Sequence, residues 1–496
     1  MQKREGSRMS DMHAPRIAQR IFVVPRRSHA NRLIVRMIIA VYLLLIFEGA
    51  IRKWLLPTMG DLLYFARVPL VFLIYAVALG SGMWPRSNKY LAFGLWFGGL
   101  TACLVVLQMV LGGYSERHLI IAAYGWINYF FFIPFAFIIG EQVRGTDLAK
   151  IARITIWLSI AVMPLVILQY YSPAESIVVR GSGELETQQY IGLGFSGDRI
   201  RPMGLFTSSL GQQAFVASGL AFVTGAWFMR KSQRRVAAAT LVAAGFAILI
   251  MIGFSGQRGL VIHAAIVFLF SVVGGTALRR RHAGSGLFIA AAALIFSFLY
   301  PILFPDVYFE FSERWIDAAW VENISYGGGG ILGRMVYQLV HFLSMFDKAP
   351  PQGYLLGIGG NATGSLTWVQ LPDVANQWSG PTGWAEDGLA RHIVELGWFF
   401  GPLFIMYRFA LAFWLMRQAV RFTRKSGQVL PLALVGFMLP LLIFMQITGQ
   451  GTLVGYAWIF VGFSMAASRN DNFMNEKTPL RSPVITSAYT HEIRKT

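Results

Sequence analysis

Apolar stretches of roughly 18 to 25 residues recur from Leu33 to Ser468, separated by short polar or basic segments. A run of that length matches the hydrocarbon core of a bilayer when coiled as a helix, and a water-soluble fold has no room to hide so many of them. Lipid offers the backbone no hydrogen-bond partner, so the spans have to be helices. The ~10-residue alternation of a membrane barrel is not present. Only 14% of the residues are charged and 55% are hydrophobic, whereas soluble proteins carry about 25% charged residues. The expected fold class is an all-α polytopic membrane protein of about twelve transmembrane helices. Their approximate limits are 33–51, 62–80, 90–111, 119–139, 152–171, 209–229, 236–254, 260–278, 286–304, 389–416, 428–447 and 452–468.

Charge sets the threading. Lys and Arg number 43 against 24 Asp and Glu, a formal net charge of +19. These cations do not form a nucleic-acid surface: they fall in every second loop, the bias expected of cytoplasmic loops. Those loops carry Arg86 and Lys89; Arg144 and Lys150; Arg230, Lys231, Arg234 and Arg235; Arg279, Arg280 and Arg281; and Arg417, Arg421, Arg424 and Lys425. The expected organisation is a basic cytoplasmic tail (1–32), transmembrane helices one to nine (33–304), an external loop domain (305–388), helices ten to twelve (389–468) and a polar cytoplasmic tail (469–496). The apolar run from Leu33 shows no small-residue cleavage site and reads as an uncleaved first span. Cys103 is the only cysteine, so no intrachain disulfide can form.

Two external segments are long, 172–208 and 305–388. The second carries Trp315, Trp320, Tyr326, Tyr337, Trp368, Trp378 and Trp384, too much aromatic surface to leave in water. A cap on the membrane domain is expected, with a helix over 333–346, and loops of this length usually carry function. No internal repeat of the kind found in many transporters is visible.

Arginines on the outside need a reason other than topology. Arg199 and Arg201 precede the sixth span, Arg258 sits in the turn Ser255-Gly-Gln-Arg-Gly259, and Arg334 follows Gly333. Arg258 is the most constrained: a guanidinium at the hydrocarbon boundary is costly unless it meets an anion or a wet cavity, and its planar fork suits phosphate oxygens. Snorkelling to lipid headgroups is the plainer account. Glu386, Asp387, Arg391, His392 and Glu395 form a second group. On a helix starting near Leu389, Arg391, His392 and Glu395 share a face. They read either as an acidic helix start with a structural ion pair, or as a general base beside an anion-holding arginine. A third group, Glu48, Arg52, Lys53 and Trp54, ends the first span; interfacial anchoring accounts for its cations, and Glu48 is a plausible partner for the intramembrane Arg67. No Walker, Rossmann or zinc-ligand spacing occurs, so no cofactor and no metal is expected.

These motifs, in this order, resemble the bacterial O-antigen ligase and polymerase superfamily. Arg201-Pro-Met-Gly-Leu-Phe206 is similar to its Arg-x-x-Gly-x-Phe, and Phe254-Ser-Gly-Gln-Arg-Gly259 to its Ser-Arg-Gly turn with extra residues. Gly333-Arg334 followed by Gly353-Tyr-Leu-Leu-Gly-Ile-Gly359 resembles its Arg helix and Gly-x-Gly turn, and Glu386 to Gly397 its segment ending in Glu-Leu-Gly. A large external loop between the ninth and tenth spans also matches. The resemblance implies a metal-independent glycosyltransferase of the bacterial inner membrane, both termini cytoplasmic. Its donor would be an undecaprenyl-pyrophosphate-linked glycan and its acceptor a glycan or lipid, with a chain-length regulator as a candidate partner. Arg201, Arg258 and Arg334, with Arg199 beside them, would hold the pyrophosphate; Glu386, His392 and Arg391 would be the catalytic candidates. Where the ligase branch has a histidine this chain has Glu386, and His392 lies six residues later. That departure favours a polymerase over a ligase; a transporter or flippase for a lipid-linked or anionic substrate is the reading from another class.

The topology is directly testable. With Cys103 replaced, a cysteine at Ser365 should react with a membrane-impermeant thiol reagent in intact cells and one at Ser426 should not. Labelling at Ser426 would overturn the threading.

Overall fold

The computed structural model describes residues 28–60, 63, 65–85, 88–173, 175–179, 191–193, 199–229, 236–325, 330–358, 388–445 and 447–469. Glu386, Asp387, most of both tails, the basic stretch 230–235 and Trp368, Trp378 and Trp384 lie outside those residues. The architecture is all-α apart from one small antiparallel pair, Ile191–Leu193 with Arg199–Ile200. A helix overlaps each expected span. Seven are long and apolar enough to cross a membrane: His29–Leu55, Lys89–Leu111, His118–Gln142, Gly145–Tyr171, Arg258–Leu278, Arg280–Leu303 and Ala390–Ser426. Arg67–Gly80, Ala238–Phe254, Leu430–Ile443 and Gly451–Ala467 are apolar but shorter. The chain is a multi-pass membrane protein.

Starts are marked by local chemistry. Ser28 caps the first helix by accepting from the Asn31 N–H (3.1 Å), and Asn88 does the same for Tyr90 (2.9 Å). The bundle is organised around Gly451–Ala467, in which every residue except Thr452 is buried. Its burial on every face, rather than its apolar composition, puts this helix at the centre of the bundle. It packs against helices 132–142, 430–443 and 390–426, among others. Around it, Phe460 meets Tyr42, Phe222 and Phe437, the last with ring centroids 4.3 Å apart.

Contacts divide the bundle into two ends. At one, Asn31 donates to the Gln142 side chain (2.7 Å), Gln142 to the Met83 carbonyl, and Arg469 to the Gly140 carbonyl. At the other lie Glu48, Arg67, Gly204 and Gly451. Arg258 and Arg391 begin helices whose far ends carry the basic residues 279–281 and 424–425.

The long helix Ala390–Ser426 is broken at Gly397, where φ is 77° and ψ −171°. An uninterrupted helix would join the Trp398 N–H to the Val394 carbonyl. Instead Trp398 donates to the Pro351 carbonyl (3.0 Å), and Val394 accepts from the Tyr354 N–H (2.9 Å). The segment between Pro351 and Tyr354 therefore takes up both backbone groups that the break releases. Gln108 secures the same junction from a neighbouring helix: its Nε2 donates to the carbonyls of Gln352 and Glu395, both at 2.7 Å, and its Oε1 accepts from Leu356.

Two expectations for the external insert need correction. Residues 305–325 are not loop but a helix, Pro305–Ser325, with Pro305 and Asp306 in its first turn, where a missing N–H and a negative charge are both favoured. The helix expected over 333–346 runs Gly330–Val340 and tightens into a 3₁₀ turn, His341–Met345. Of the aromatic residues expected to form a cap, Trp315 is half-buried, Trp320 is 67% exposed and Tyr337 38% exposed, while Tyr326, Trp368, Trp378 and Trp384 lie outside the described residues.

A Cβ at Gly397 would stand 2.2 Å from the Pro351 carbonyl oxygen, in a backbone conformation that L-residues resist. Gly397→Ala should cost about 3 kcal/mol. Gly284→Ala, in open space, should be neutral or slightly stabilising. Thermal unfolding of the two variants in detergent checks the contrast; equal melting temperatures would refute the strained joint.

Candidate functional site

The first group is a buried ionic cluster at the end of the first helix. Arg67 Nε stands 2.8 Å from Glu48 Oε2, and Arg52 Nη1 3.8 Å from Oε1. Arg67 also donates to the Gly451 carbonyl (2.8 Å), at the start of the central helix. Lys53 donates to the Gly204 carbonyl at 2.9 Å; Gln169 donates to the same carbonyl and accepts from the Gly204 N–H. Interfacial anchoring by Arg52 and Lys53 is thereby corrected: both are buried, and their partners are a carboxylate and a backbone carbonyl rather than headgroups. The segment Arg201–Phe206 is what Lys53 and Gln169 hold in place. A small cleft lined by Arg67, Tyr124, Asn128 and Gly451 opens beside this cluster.

The second group joins two of the expected arginines. Arg258 Nη2 and Arg334 Nη1 each stand 3.0 Å from one oxygen, Glu322 Oε1. Two nitrogens that share an oxygen at that distance are no more than twice it apart. Glu322 is 4% exposed. Its other oxygen and Arg258 Nη1 are buried, with no hydrogen-bond partner among the described residues. Arg258 is thus ion-paired at the start of its helix and does not reach for headgroups. Arg199 lies on the small strand Arg199–Ile200, whose partner strand rests against the helix that carries Glu322. Arg201 follows that strand, half-buried.

Arg391 and His392 belong to a third group, fully enclosed. The Tyr129 hydroxyl is 2.8 Å from His392 Nδ1, and Arg408 donates to Nε2. An imidazole whose Nε2 accepts from a guanidinium carries its proton on Nδ1 and donates it to Tyr129. Arg408 also donates to the carbonyls of Leu442 (2.8 Å), Leu441 and Met445, the released end of helix Leu430–Ile443. Tyr129 lies in a π-helical turn, Ile127–Phe131, beside Glu395, Thr448 and Arg391. Arg391 packs flat on Gly449, where a Cβ would be 1.6 Å from its Nη1. The short turn 447–451 therefore touches Arg391 on one side and Arg67 on the other.

Of the sequence candidates, the structure brings Arg258 and Arg334 together, holds Arg391 and His392 in a separate cluster, and leaves Glu386 outside the described residues. Glu322, Arg408, Tyr129 and Gln108 escaped the sequence reading. Arg408 had a visible signal, a lone arginine inside an apolar run, the same signal that singled out Arg67. Among the described residues no cluster of His, Cys, Asp and Glu could hold a metal ion. No protein-family model matches the chain, and no curated protein matches it.

The Glu48–Arg67 pair is buried and shared with Arg52, so removing one member leaves uncompensated charge. Glu48→Leu should destabilise by about 3–5 kcal/mol, and pairing it with Arg67→Met should recover a large part of that. Thermal melting of both single variants and the double variant checks it; strict additivity would show that the two side chains do not interact.

Proposed function

We propose that this protein is a membrane glycosyltransferase of the O-antigen ligase and polymerase type. In this reading it joins undecaprenyl-pyrophosphate-linked glycans at the outer face of the bacterial inner membrane, most plausibly as a polymerase. The observation that carries the proposal is the convergence of Arg258 and Arg334 on one carboxylate oxygen, with Arg258 Nη1 buried and, among the described residues, without a hydrogen-bond partner. Two guanidinium groups over one carboxylate leave net positive charge in a site of restricted solvent, a setting in which fixed cations stabilise a departing pyrophosphate well. The cations lie at the end of the bundle opposite the basic residues 279–281 and 424–425, which by the positive-inside rule places them outside. About twelve crossings, both termini in the cytoplasm and residues 305–388 outside complete the proposed arrangement.

In the mechanism, a lipid-linked pyrophosphate displaces Glu322 from one or both arginines, and Arg201 completes the cradle. The acceptor hydroxyl is deprotonated as it attacks the donor's anomeric carbon, and the pyrophosphate-lipid leaves. Both nitrogens of His392 are engaged by protein partners, which favours Glu386 over His392 as the base. Arg391 and His392 then hold the helix that follows Glu386. A flippase is the second reading: the helix broken at Gly397 and the enclosed Arg408 are features that transporters also use.

Turnover with purified protein and lipid-linked donor separates these readings. Arg258→Ala should abolish release of pyrophosphate-lipid at normal protein levels, and Arg258→Lys should restore only part of it, since lysine lacks the bidentate fork. Glu386→Gln should be inactive yet stable, whereas His392→Gln should lose stability. Full turnover in Arg258→Ala and Glu386→Gln would reject the glycosyltransferase site, and donor movement across proteoliposomes without bond cleavage would favour the flippase.

A further inference from the structure

The helices Pro305–Ser325 and Gly330–Val340 are amphipathic in the sense opposite to a soluble domain. Along the first, Phe309, Ile316, Trp320 and Ile324 recur at intervals of seven and four and are all exposed, a single helical face. Along the second and its terminal turn, Leu332, Val336, Val340 and Leu343 recur at intervals of four and three and are all exposed, Leu332 by 73%. Of the charged residues, Glu322 is buried and Arg334 reaches it from the neighbouring helix, while Glu313 and Asp317, beside the apolar stripe, are partly buried and Asp306 is exposed at the helix start. In water this arrangement is upside down, because large exposed apolar patches on soluble surfaces are rare. The outward face also continues a lipid-facing one. Leu287, Leu294, Phe298 and Ile302 form an exposed stripe at intervals of seven and four along the membrane helix Ala283–Leu303, and only Phe304 separates that helix from Pro305.

From this exposure and continuity we infer that the helices Pro305–Ser325 and Gly330–Val340, with the turn His341–Met345, lie in the membrane interface, lipid acyl chains covering the stripes from Phe309 to Ile324 and from Leu332 to Leu343. A helix with one apolar and one charged face settles into the boundary between headgroups and acyl chains. Arg258, Glu322 and Arg334 are then roofed by a lipid-borne element. Ligands reach them laterally, along the bilayer, rather than from the aqueous side. The placement stands on surface polarity alone and does not depend on the glycosyltransferase reading.

The test uses full-length protein in nanodiscs of phosphatidylethanolamine and phosphatidylglycerol. In a Cys103→Ser background, spin labels at Ile316→Cys, Trp320→Cys, Leu332→Cys and Val336→Cys are compared with Phe298→Cys for lipid and Lys425→Cys for water. Collision with oxygen should exceed collision with a soluble nickel chelate at all four positions, as at Phe298. A nickel-dominated signal like that of Lys425 would place these helices in water and overturn the inference. Low accessibility to both reagents would also overturn it, by showing the face covered by protein, whether another segment of this chain or a partner. Photolabelling of the unsubstituted protein with a lipid-soluble carbene precursor provides the second measurement. Peptides spanning 305–345 should be modified as heavily as those from 283–303, and their escape from labelling would count against the proposal.

Discussion

A charge removed from water must be met by another charge or by fixed dipoles, and this requirement shapes most of the end of the bundle that carries Glu48, Arg67 and Gly451. Glu48 answers Arg52 and Arg67; Glu322 answers Arg258 and Arg334; Arg408 is met by three carbonyls at a helix end. Each solution joins segments far apart in sequence. Arg67 connects the first helix to the last through the Gly451 carbonyl, and Lys53 connects the first helix to the segment before Ser209. Apolar packing fills the bundle, but it is non-directional. The ionic contacts supply the specific register between helix ends.

The break at Gly397 follows the same logic for backbone groups. A helix interrupted at membrane depth exposes an N–H and a carbonyl that lipid cannot satisfy. Here the segment from Pro351 to Tyr354 satisfies them, and Gln108 closes the remaining gap. A tetrapeptide outside the spans, a glycine inside one and a glutamine on another thus form one joint, the most definite link between the external insert and the bundle.

The helices were legible because a twenty-residue apolar run has few other fates, and because cations mark alternate loops. Arg67 and Arg258 were legible for the converse reason: a lone charge in or beside such a run has to be accounted for. Glu48 as the partner of Arg67 could be guessed from their shared position at the outer ends of adjacent spans. Glu322 could not, since it sits among Glu310, Glu313 and Asp317 on a polar-looking stretch, and only the fold selects which of these acids turns inward. The exposed apolar faces of the helices Pro305–Ser325 and Gly330–Val340 were not legible for a related reason. Counting aromatic residues in 305–388 shows that they must avoid water, but not whether protein or lipid shields them.

The position of the helix Gly451–Ala467 has a consequence for biogenesis. It lies at the centre of the bundle yet is the last of the described helices to be synthesised. Until it emerges from the ribosome, helices 29–50, 132–142, 209–227 and 430–443 lack the surface they close upon, and Arg67 lacks the Gly451 carbonyl. Chains ordinarily consolidate from the N-terminus as they are made. Here the contacts that centre on Gly451–Ala467 can form only after the earlier described helices are made, so the middle of the described bundle is the part that closes late.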